Sequence, residues 1–566
     1  MSIVATDASR MGVTLQGYNQ VVALSQANIN ETLRRHFSVL DADDQLDLFK
    51  AKAGAASISA KVLAPRIELI DKDDGDGALY ILRLGEGTFK AVNMDGDDVE
   101  VLQYPTNGWE LAFNVDFAFK PVKKLPQNIE QQVPLAGGYS VKQLMINFGD
   151  ATRIFQLDPN RTKYPVSDKD KAKLDTSSLK VALQMFANTY LENKLKTTDN
   201  HNILGYAVEL TEKPKDLKPT FLPTACKVQI VGHRAGGDAK SFQQGNPYNA
   251  FCFTEMTDGR TMPGAELKYS GNWFYESLGG TMAISRSTFW DLFMVPNIKD
   301  AHVKAVEASH YVIRAMGKPF FGRDMWYLDD AEPMREQLCG PFALPSELPP
   351  LAFGTTYTCS KLEHWNNEEL SPVAKCFFKP RTTISTSAAP TKRKGEIVVT
   401  QKIDVSWEQG AKLSDYFKAI PLSAVFADAF NVNLTGSIGL TTKTTISMNA
   451  VTSTGSLQVT SDTQVTRQEY RALDFNIGGI GSYLPGDIQR KINELPGLVS
   501  EEYRRMKAEL SAWLQGRKDV FKTVAEGIQQ DLNNSSKFVF PGNGTFDIKD
   551  PLFSDEGNLM VGLVYR

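Results

Sequence analysis

The chain has 566 residues, 42% of them apolar and 23% charged, which is too apolar for a disordered polymer and long enough for roughly two to four domains or two large ones. Its 62 basic and 66 acidic residues nearly cancel, which gives no support to a protein-wide footprint for nucleic acid, since that needs a basic excess, and no nucleic-acid partner is expected. Five cysteines (Cys226, Cys252, Cys339, Cys359 and Cys376) form no CxxC pair, which fits free thiols in a reducing compartment and neither a disulfide framework nor a zinc site.

The chain opens with MSIVATDASRMGVTLQGYNQ, which has no basic start followed by an apolar run, so no cleaved secretory signal is expected. No window approaches 18 uninterrupted apolar residues, so no membrane-spanning helix is expected either. The expectation is a cytoplasmic protein, or one exported without a cleaved signal.

VALSQANINETLRRHF reads as a strand ending at Ser25, whose hydroxyl suits the orphan amides of the helix that follows; Ile29 and Leu33 lie four apart on that helix. ELIDKDDGDGALYILRL is two strands around an Asp-Gly turn. In WELAFNVDFAFK, Trp109, Leu111, Phe113, Val115, Phe117 and Phe119 alternate with Glu110, Asn114, Asp116 and Lys120, a strand with one dry and one wet face. SDKDKAKLDTSS reads as a charged surface loop. SSLKVALQMFANTYLENKL is a helix with Leu179, Leu183, Phe186 and Tyr190 on one stripe, and NILGYAVEL and CKVQIVG return to strand. GHRAGGDAKSFQQGNPY, from Gly232, is glycine-rich and polar and is the best linker candidate, at about 232–249.

TMAISRSTFWDLFMVPNIKDAHVKAV repeats the first motif. Val22-Ala23-Leu24-Ser25 aligns with Met282-Ala283-Ile284-Ser285 at an offset of 260 residues, and Ile29 and Leu33 align with Phe289 and Phe293. Here apolar groups fall on more than one side of the helix, which predicts burial on several sides. FKPRTTISTSAAPTKRKGE reads as a Ser/Thr/Pro/Lys-rich loop. EIVVTQKIDVSW puts Ile397, Val399, Ile403, Val405 and Trp407 on one face; NLTGSIGLTTKTTISMNA does the same for Leu434, Ile438, Leu440, Ile446, Met448 and Ala450. These strands exceed the usual five or six residues. From about Ser500, Tyr503, Met506, Leu510, Trp513, Val520, Val524 and Ile528 recur at helical spacing, and KFVF and NLMVGLVY close the chain.

Each half is therefore a strand, a helix, several antiparallel strands, a long helix and closing strands. The fold class expected is α+β, with long curved antiparallel sheets wrapped around long helices. A long strand with one dry face needs a long cover, and the amphipathic helix is the partner at hand.

GYNQVVALSQANINETL, GNWFYESLGGTMAISRSTFWDLFMVPNI and FDIKDPLFSDEGNLMVGLVY resemble the OrfX-type proteins encoded beside clostridial neurotoxins and in some insecticidal toxin clusters, members of the tubular lipid-binding (TULIP) superfamily. The resemblance implies two TULIP-like modules in one elongated rod, over 1–235 and 250–566. It also implies a capacity to bind lipid or membrane, other toxin-cluster proteins as partners, and no catalysis.

Motifs for chemistry are weak by comparison. DKDDGDG lacks the glycine and glutamate that an EF-hand needs at positions six and twelve, so a hairpin turn is the reading. Glu307 and His310 give one Glu-x-x-His spacing where a di-iron bundle needs two, and His302, Glu307 and His310 read as a surface helix face. No GxSxG, Walker-type or dinucleotide-binding glycine motif appears. No metal, cofactor or catalytic residue is assigned. The candidate lipid-binding residues are Phe289, Leu292, Phe293, Tyr503, Met506, Leu510 and Trp513, with Lys392, Arg393 and Lys394 for anionic headgroups. The alternative is a protein-interaction component of a toxin complex with a filled interior.

Overall fold

The computed structural model describes residues 7–39, 48–70, 77–93, 99–121, 139–147, 157–175, 177–190, 203–210, 221, 223–234, 244–274, 279–298, 300–302, 353–360, 363–366, 375–391, 395–412, 431–451, 456–477, 504, 508, 521–530, 532, 538–539 and 546–565. In chain order α1 is Asp7–Met11, β1 Gln20–Ser25, α2 Gln26–Val39, β2 Leu48–Ala53, β3 Ala56–Ile70, β4 Gly77–Asn93, β5 Glu100–Pro105, β6 Glu110–Pro121 and β7 Tyr139–Asn147. Next come α3 (Asp168–Leu174), α4 (Ser177–Tyr190), β8 (Ile203–Leu210), β9 (Pro223–Val231), β10 (Ala250–Thr257), β11 (Gly280–Ile284) and a π-helix, α5 (Ser287–Met294). The chain then runs through β12 (Phe353–Ser360), β13 (Glu363–Asn366), β14 (Lys375–Thr391), β15 (Glu396–Lys412), β16 (Asn431–Val451) and β17 (Ser456–Ile477). It ends with helix α6 (521–530), β18 (Phe538–Val539), β19 (Phe546–Phe553) and β20 (Leu559–Tyr565). The fold is α+β, mostly antiparallel sheet with few helices.

The chain divides into two compact units. The first holds residues 1–289, 449–457 and 531–566; the second holds 290–448 and 458–530.

The first unit contains a six-stranded sheet of order β19-β20-β11-β1-β10-β9. The two copies of the repeated motif meet at its centre. β1 and β11 pair antiparallel with Val22 opposite Met282, the two residues that the repeat makes equivalent. Ser25 N–H bonds Gly279 O (2.9 Å) and Ser285 N–H bonds Asn19 O (2.8 Å), which are again equivalent positions. Outside β1 lies the hairpin β9–β10, and outside β11 the hairpin β19–β20. The sheet thus has a local two-fold axis between Val22 and Met282. One of its faces is covered by residues from the 11–18 and 267–274 segments, with Met11, Val13, Leu15, Tyr18, Trp273 and Phe274 packed on Val21, Ala23, Cys252 and Ala283. The glycine-rich segment ends on this unit too, since Asn249 O accepts the Gln26 N–H (2.9 Å) and Pro247 O the Ala27 N–H (2.9 Å).

The second sheet of this unit runs β18-β8-β7-β6-β4-β3-β2, with β5 beside β4. It bends because its ladder slips between Ala60 and Val62 and between Leu63 and Arg66. Bulges of this kind add curvature. At Gly87 the strands come so close that a Cβ would lie 2.3 Å from Ser59 O and 2.4 Å from Ala60 Cα, so the corner admits glycine alone. α4 packs on β2, β3 and β4, and its stripe of Leu179, Leu183, Phe186 and Tyr190 is buried, as its spacing predicts. Trp109, Leu111, Phe113 and Val115 are buried and Asn114 is exposed, but the wet face is not continuous: Ala112 is also buried, against Leu79 and Ile81.

The second unit holds a sheet of order β12-β14-β15-β16-β17, with β13 beside β14. Its dry face includes Ile384, Ala388, Ile397, Val399, Ile403, Ile438, Leu440, Ile446 and Met448, with the buried threonines Thr386, Thr442 and Thr444 between them. Val405, Trp407 and Leu434 have side chains outside the described residues, and Ala450 is half-buried.

Two sequence expectations are corrected here. The segment read as a Ser/Thr/Pro/Lys-rich loop is the 17-residue strand β14. Its prolines mislead because each lies where one edge is unpaired: β13 pairs residues 375–378 and β12 pairs 381–388, so Pro380 and Pro390 fall outside both. The charged loop before α4 contains the helix α3, whose N-cap Ser167 accepts the Asp170 N–H, with Asp168 and Asp170 in its first turn.

Candidate functional site

The repeated motif predicts a serine cap, and both copies have one: Ser25 Oγ accepts the Asn28 N–H and Ser285 Oγ the Thr288 N–H, each at 3.2 Å. Beyond Ser285 the helix is wound as a π-helix. Pro296 explains the winding, because it lacks the N–H that an α-turn would direct at Leu292 O and its ring would crowd that carbonyl. Asn297 Nδ2 instead donates to Phe293 O at 2.7 Å. The wider turn buries more sides at once: Phe289, Trp290, Phe293 and Met294 are buried, Leu292 is half-buried and Asp291 is exposed.

Phe289 belongs to the first unit, where its ring stacks on Phe221 (6.1 Å between centroids) and tilts against Phe553 (5.7 Å). Phe293 belongs to the second unit and lies against α6: a Cβ at Gly527 would sit 3.9 Å from its Cζ. On α6, Phe521, Val524, Ala525 and Ile528 are buried.

Farther along, His302 is buried, not on a surface face as its spacing suggested. Its Nδ1 lies 2.9 Å from Thr386 Oγ1, and Gln401 Nε2 donates to Thr386 Oγ1 (3.0 Å) and Ala301 O (3.3 Å). Glu307 and His310 lie outside the described residues. The period-two pattern marks position 401 as inward but not as a polar contact, and position 386 lies in the segment that reads as a loop. His302 could not be placed from sequence because Thr386, which its ring meets, is 84 residues away.

In the first unit the corresponding interior, between α4 and the bent sheet, is filled by rings at one end. Tyr190 meets Phe49 edge-on (5.3 Å), Phe186 meets Phe89 (6.2 Å), Phe89 meets Trp109 (5.4 Å) and Trp109 meets Tyr164 (4.9 Å). Burial pushes the Tyr80 hydroxyl well up, reinforced by Tyr190, and burial also pushes Tyr164 up; both are neutral phenols at any ordinary pH. Opposite this interior, the outer face carries an ion network. Arg66 bonds Glu68 and Glu110 (3.0 Å to the latter), and Lys163 lies 3.4 Å from Glu110. Burial opposes the charge on Glu110, yet Arg66 and Lys163 outweigh it and hold the carboxyl below its ordinary range.

Of the residues singled out for lipid, Phe289, Leu292 and Phe293 are described. Tyr503, Met506, Leu510 and Trp513, and the headgroup candidates Lys392, Arg393 and Lys394, lie outside the described residues. The last three fall between Thr391 and Glu396, which pair as the ends of a hairpin. Residues 71–76 of the DKDDGDG turn candidate lie outside the described residues; Ile70 and Gly77 on either side of them pair. Among the described residues, no group of three or more His, Cys, Asp or Glu is placed to hold a metal ion, and no helix is long and apolar enough to cross a membrane.

No protein-family model matches the sequence, and no curated protein is detectably similar to it. Among solved structures the chain is similar to P47 of Clostridium botulinum E1, with 10% identity over 97% of this chain and 99% of that one and a TM-score of 0.44. It is also similar to P47 from Clostridium botulinum A2 (11% identity, 98% and 99% coverage, TM-score 0.40). A third match is a lipopolysaccharide binding protein (9% identity, 97% and 99% coverage, TM-score 0.28).

Proposed function

We propose that the chain is a non-catalytic, TULIP-like lipid-binding or membrane-interacting protein, with acyl chains held between curved sheet and helix. The proposed modules cover 1–235 and 250–566 in an elongated molecule, and the two-fold-related central sheet draws strands from both. One observation carries the reading: the second unit's sheet keeps one dry face along the length of a long strand. From Ile438 to Met448 the dry strip of β16 spans about 33 Å at strand rise, and Phe521, Val524, Ala525 and Ile528 of α6 are buried in the same unit. Leu292 and Phe293, the latter against α6, and Tyr503, Met506, Leu510 and Trp513, which precede α6 in the chain, are the proposed lining; Phe289, packed on Phe221 and Phe553, anchors the helix. Lys392, Arg393 and Lys394 are the proposed contacts for anionic headgroups, each contributing about 1 kcal/mol near an acidic surface. Affinity for the chain itself would come from burial, at about 0.8 kcal/mol per CH₂.

Native mass spectrometry of the delipidated chain mixed with a panel of fatty acids, phospholipids and glycolipids tests this. Retained one-to-one adducts are expected; a bare chain throughout the panel rejects it.

The ring packing around Phe89, Trp109 and Phe186 favours a second reading for the first unit, a filled interior that serves as a scaffold. On that reading the chain is a protein-interaction component, and a protein partner, such as another toxin-cluster protein, co-purifies where no lipid does.

A further inference from the structure

Side-chain amides close sheet edges at three places, and the three are not equally strong. At β3, Asn30 Oδ1 accepts the Ile67 N–H (2.7 Å), Asn30 Nδ2 donates to Ile67 O (3.0 Å) and Gln26 Oε1 accepts the Leu69 N–H (2.7 Å). The α2 seam is thus held by three bonds that imitate a neighbouring strand. At α4, Gln184 Oε1 accepts the N–H of Leu157, the bridge residue beside β6 (2.6 Å). At α6, Gln529 Oε1 accepts the N–H of Val459 on β17, the terminal strand of its sheet (2.9 Å). The same residue type makes the same bond in the same role in each unit.

We propose that the seams beside α4 and α6 are where the two interiors open, and that Gln184 and Gln529 are their latches. Three features support this. The buried stripes of both helices, with Leu183 and Phe186 or Val524 and Ile528, make apolar, non-directional contacts that tolerate sliding, which a hydrogen bond does not. Both helices have free backs: Val181 and Met185 are 59% and 53% exposed on α4, and Lys522 and Glu526 are exposed on α6, so outward movement displaces no described residue. A strand-edge N–H that loses its glutamine turns to water, so the open state leaves no buried donor behind. What enters rests on the lipid reading above; the opening itself does not.

Hydrogen exchange read by mass spectrometry on the full chain, with uptake of the fluorescent fatty acid cis-parinaric acid, tests both parts. In Gln184→Ala and Gln529→Ala, the amides of Leu157 and Val459 should exchange about tenfold faster, the effect of losing one hydrogen bond. Ile67 and Leu69 should stay unchanged, with β1 and β11 as the control that the chain is folded. Gln184→Glu and Gln529→Glu keep an acceptor oxygen and should remain near the parent. The uptake rate should rise in the alanine variants with the end-point signal unchanged. Leu157 and Val459 exchanging only as slowly as β1, and unmoved by the alanine variants, overturns the latches. Faster exchange with an unchanged uptake rate overturns the seams as the route. No cis-parinaric signal in any protein removes the acyl chain as the guest and leaves the exchange result to stand or fall alone.

Discussion

Single residues set the shape of the sheets more than their hydrophobicity does. Gly87 is the clearest case, since a methyl group there would collide with the backbone of Ser59 and Ala60. Gly87→Ala should cost about 1–3 kcal/mol, the range of overpacking with backbone movement, read as a lower midpoint in urea unfolding at unchanged slope. Charge is set at the same scale. The folded-state pKa of Glu110 lies below its ordinary 4.5, so the stability it contributes is complete above that value and is lost as pH falls through the folded value. Glu110→Gln should therefore lower stability at neutral pH and weaken the acid dependence below pH 4.5, which thermal melts across a pH series would follow. None of this was legible in the sequence: Gly87 is one glycine among 42, and Arg66 and Lys163 reach Glu110 across 44 and 53 positions.

At the scale of elements, alternation and helical stripes were read correctly where one face is dry. Trp109 to Val115, Leu179 to Tyr190 and Ile397 to Ile403 are buried on the predicted sides. The serine-capped motif was legible twice, and its two copies turned out to be neighbours in one sheet. Composition misled where polar residues do structural work. β14 has the composition of a loop because Thr, Ser and Pro dominate it, although Ile384, Thr386 and Ala388 alternate inward and each proline escapes a pairing duty. The burial of the helix after Ser285 on several sides follows from its sequence; its π winding does not, because it depends on how one missing N–H at Pro296 is accommodated. Asn297 is part of that accommodation. Asn297→Ala should cost about 1 kcal/mol, the usual net worth of one hydrogen bond, and Asn297→Asp, which cannot donate when ionised, should not restore it. Circular dichroism melts of the two variants give the comparison.

At the scale of the molecule, the order of strand, helix, sheet, helix and closing strands follows from the sequence, and the α+β class with it. The joining of β1, β9, β10, β11, β19 and β20 into one sheet does not, because periodicity says which face of a strand is dry and nothing about which strand lies beside it. The candidate site was only half legible for a related reason. A stripe such as Phe289, Leu292 and Phe293 announces burial, but whether its neighbours are rings, as Phe221 and Phe553 are for Phe289, or an acyl chain is a matter of tertiary packing. The claim that the interior beside β16 and α6 takes a lipid is tested most directly by an electron-density map of the chain crystallised with a terminally brominated fatty acid. The prediction is an elongated tube of density along Ile438, Leu440 and Ile446 with an anomalous bromine peak at one end. Side chains meeting across that space, with no bromine peak beside them, would contradict it.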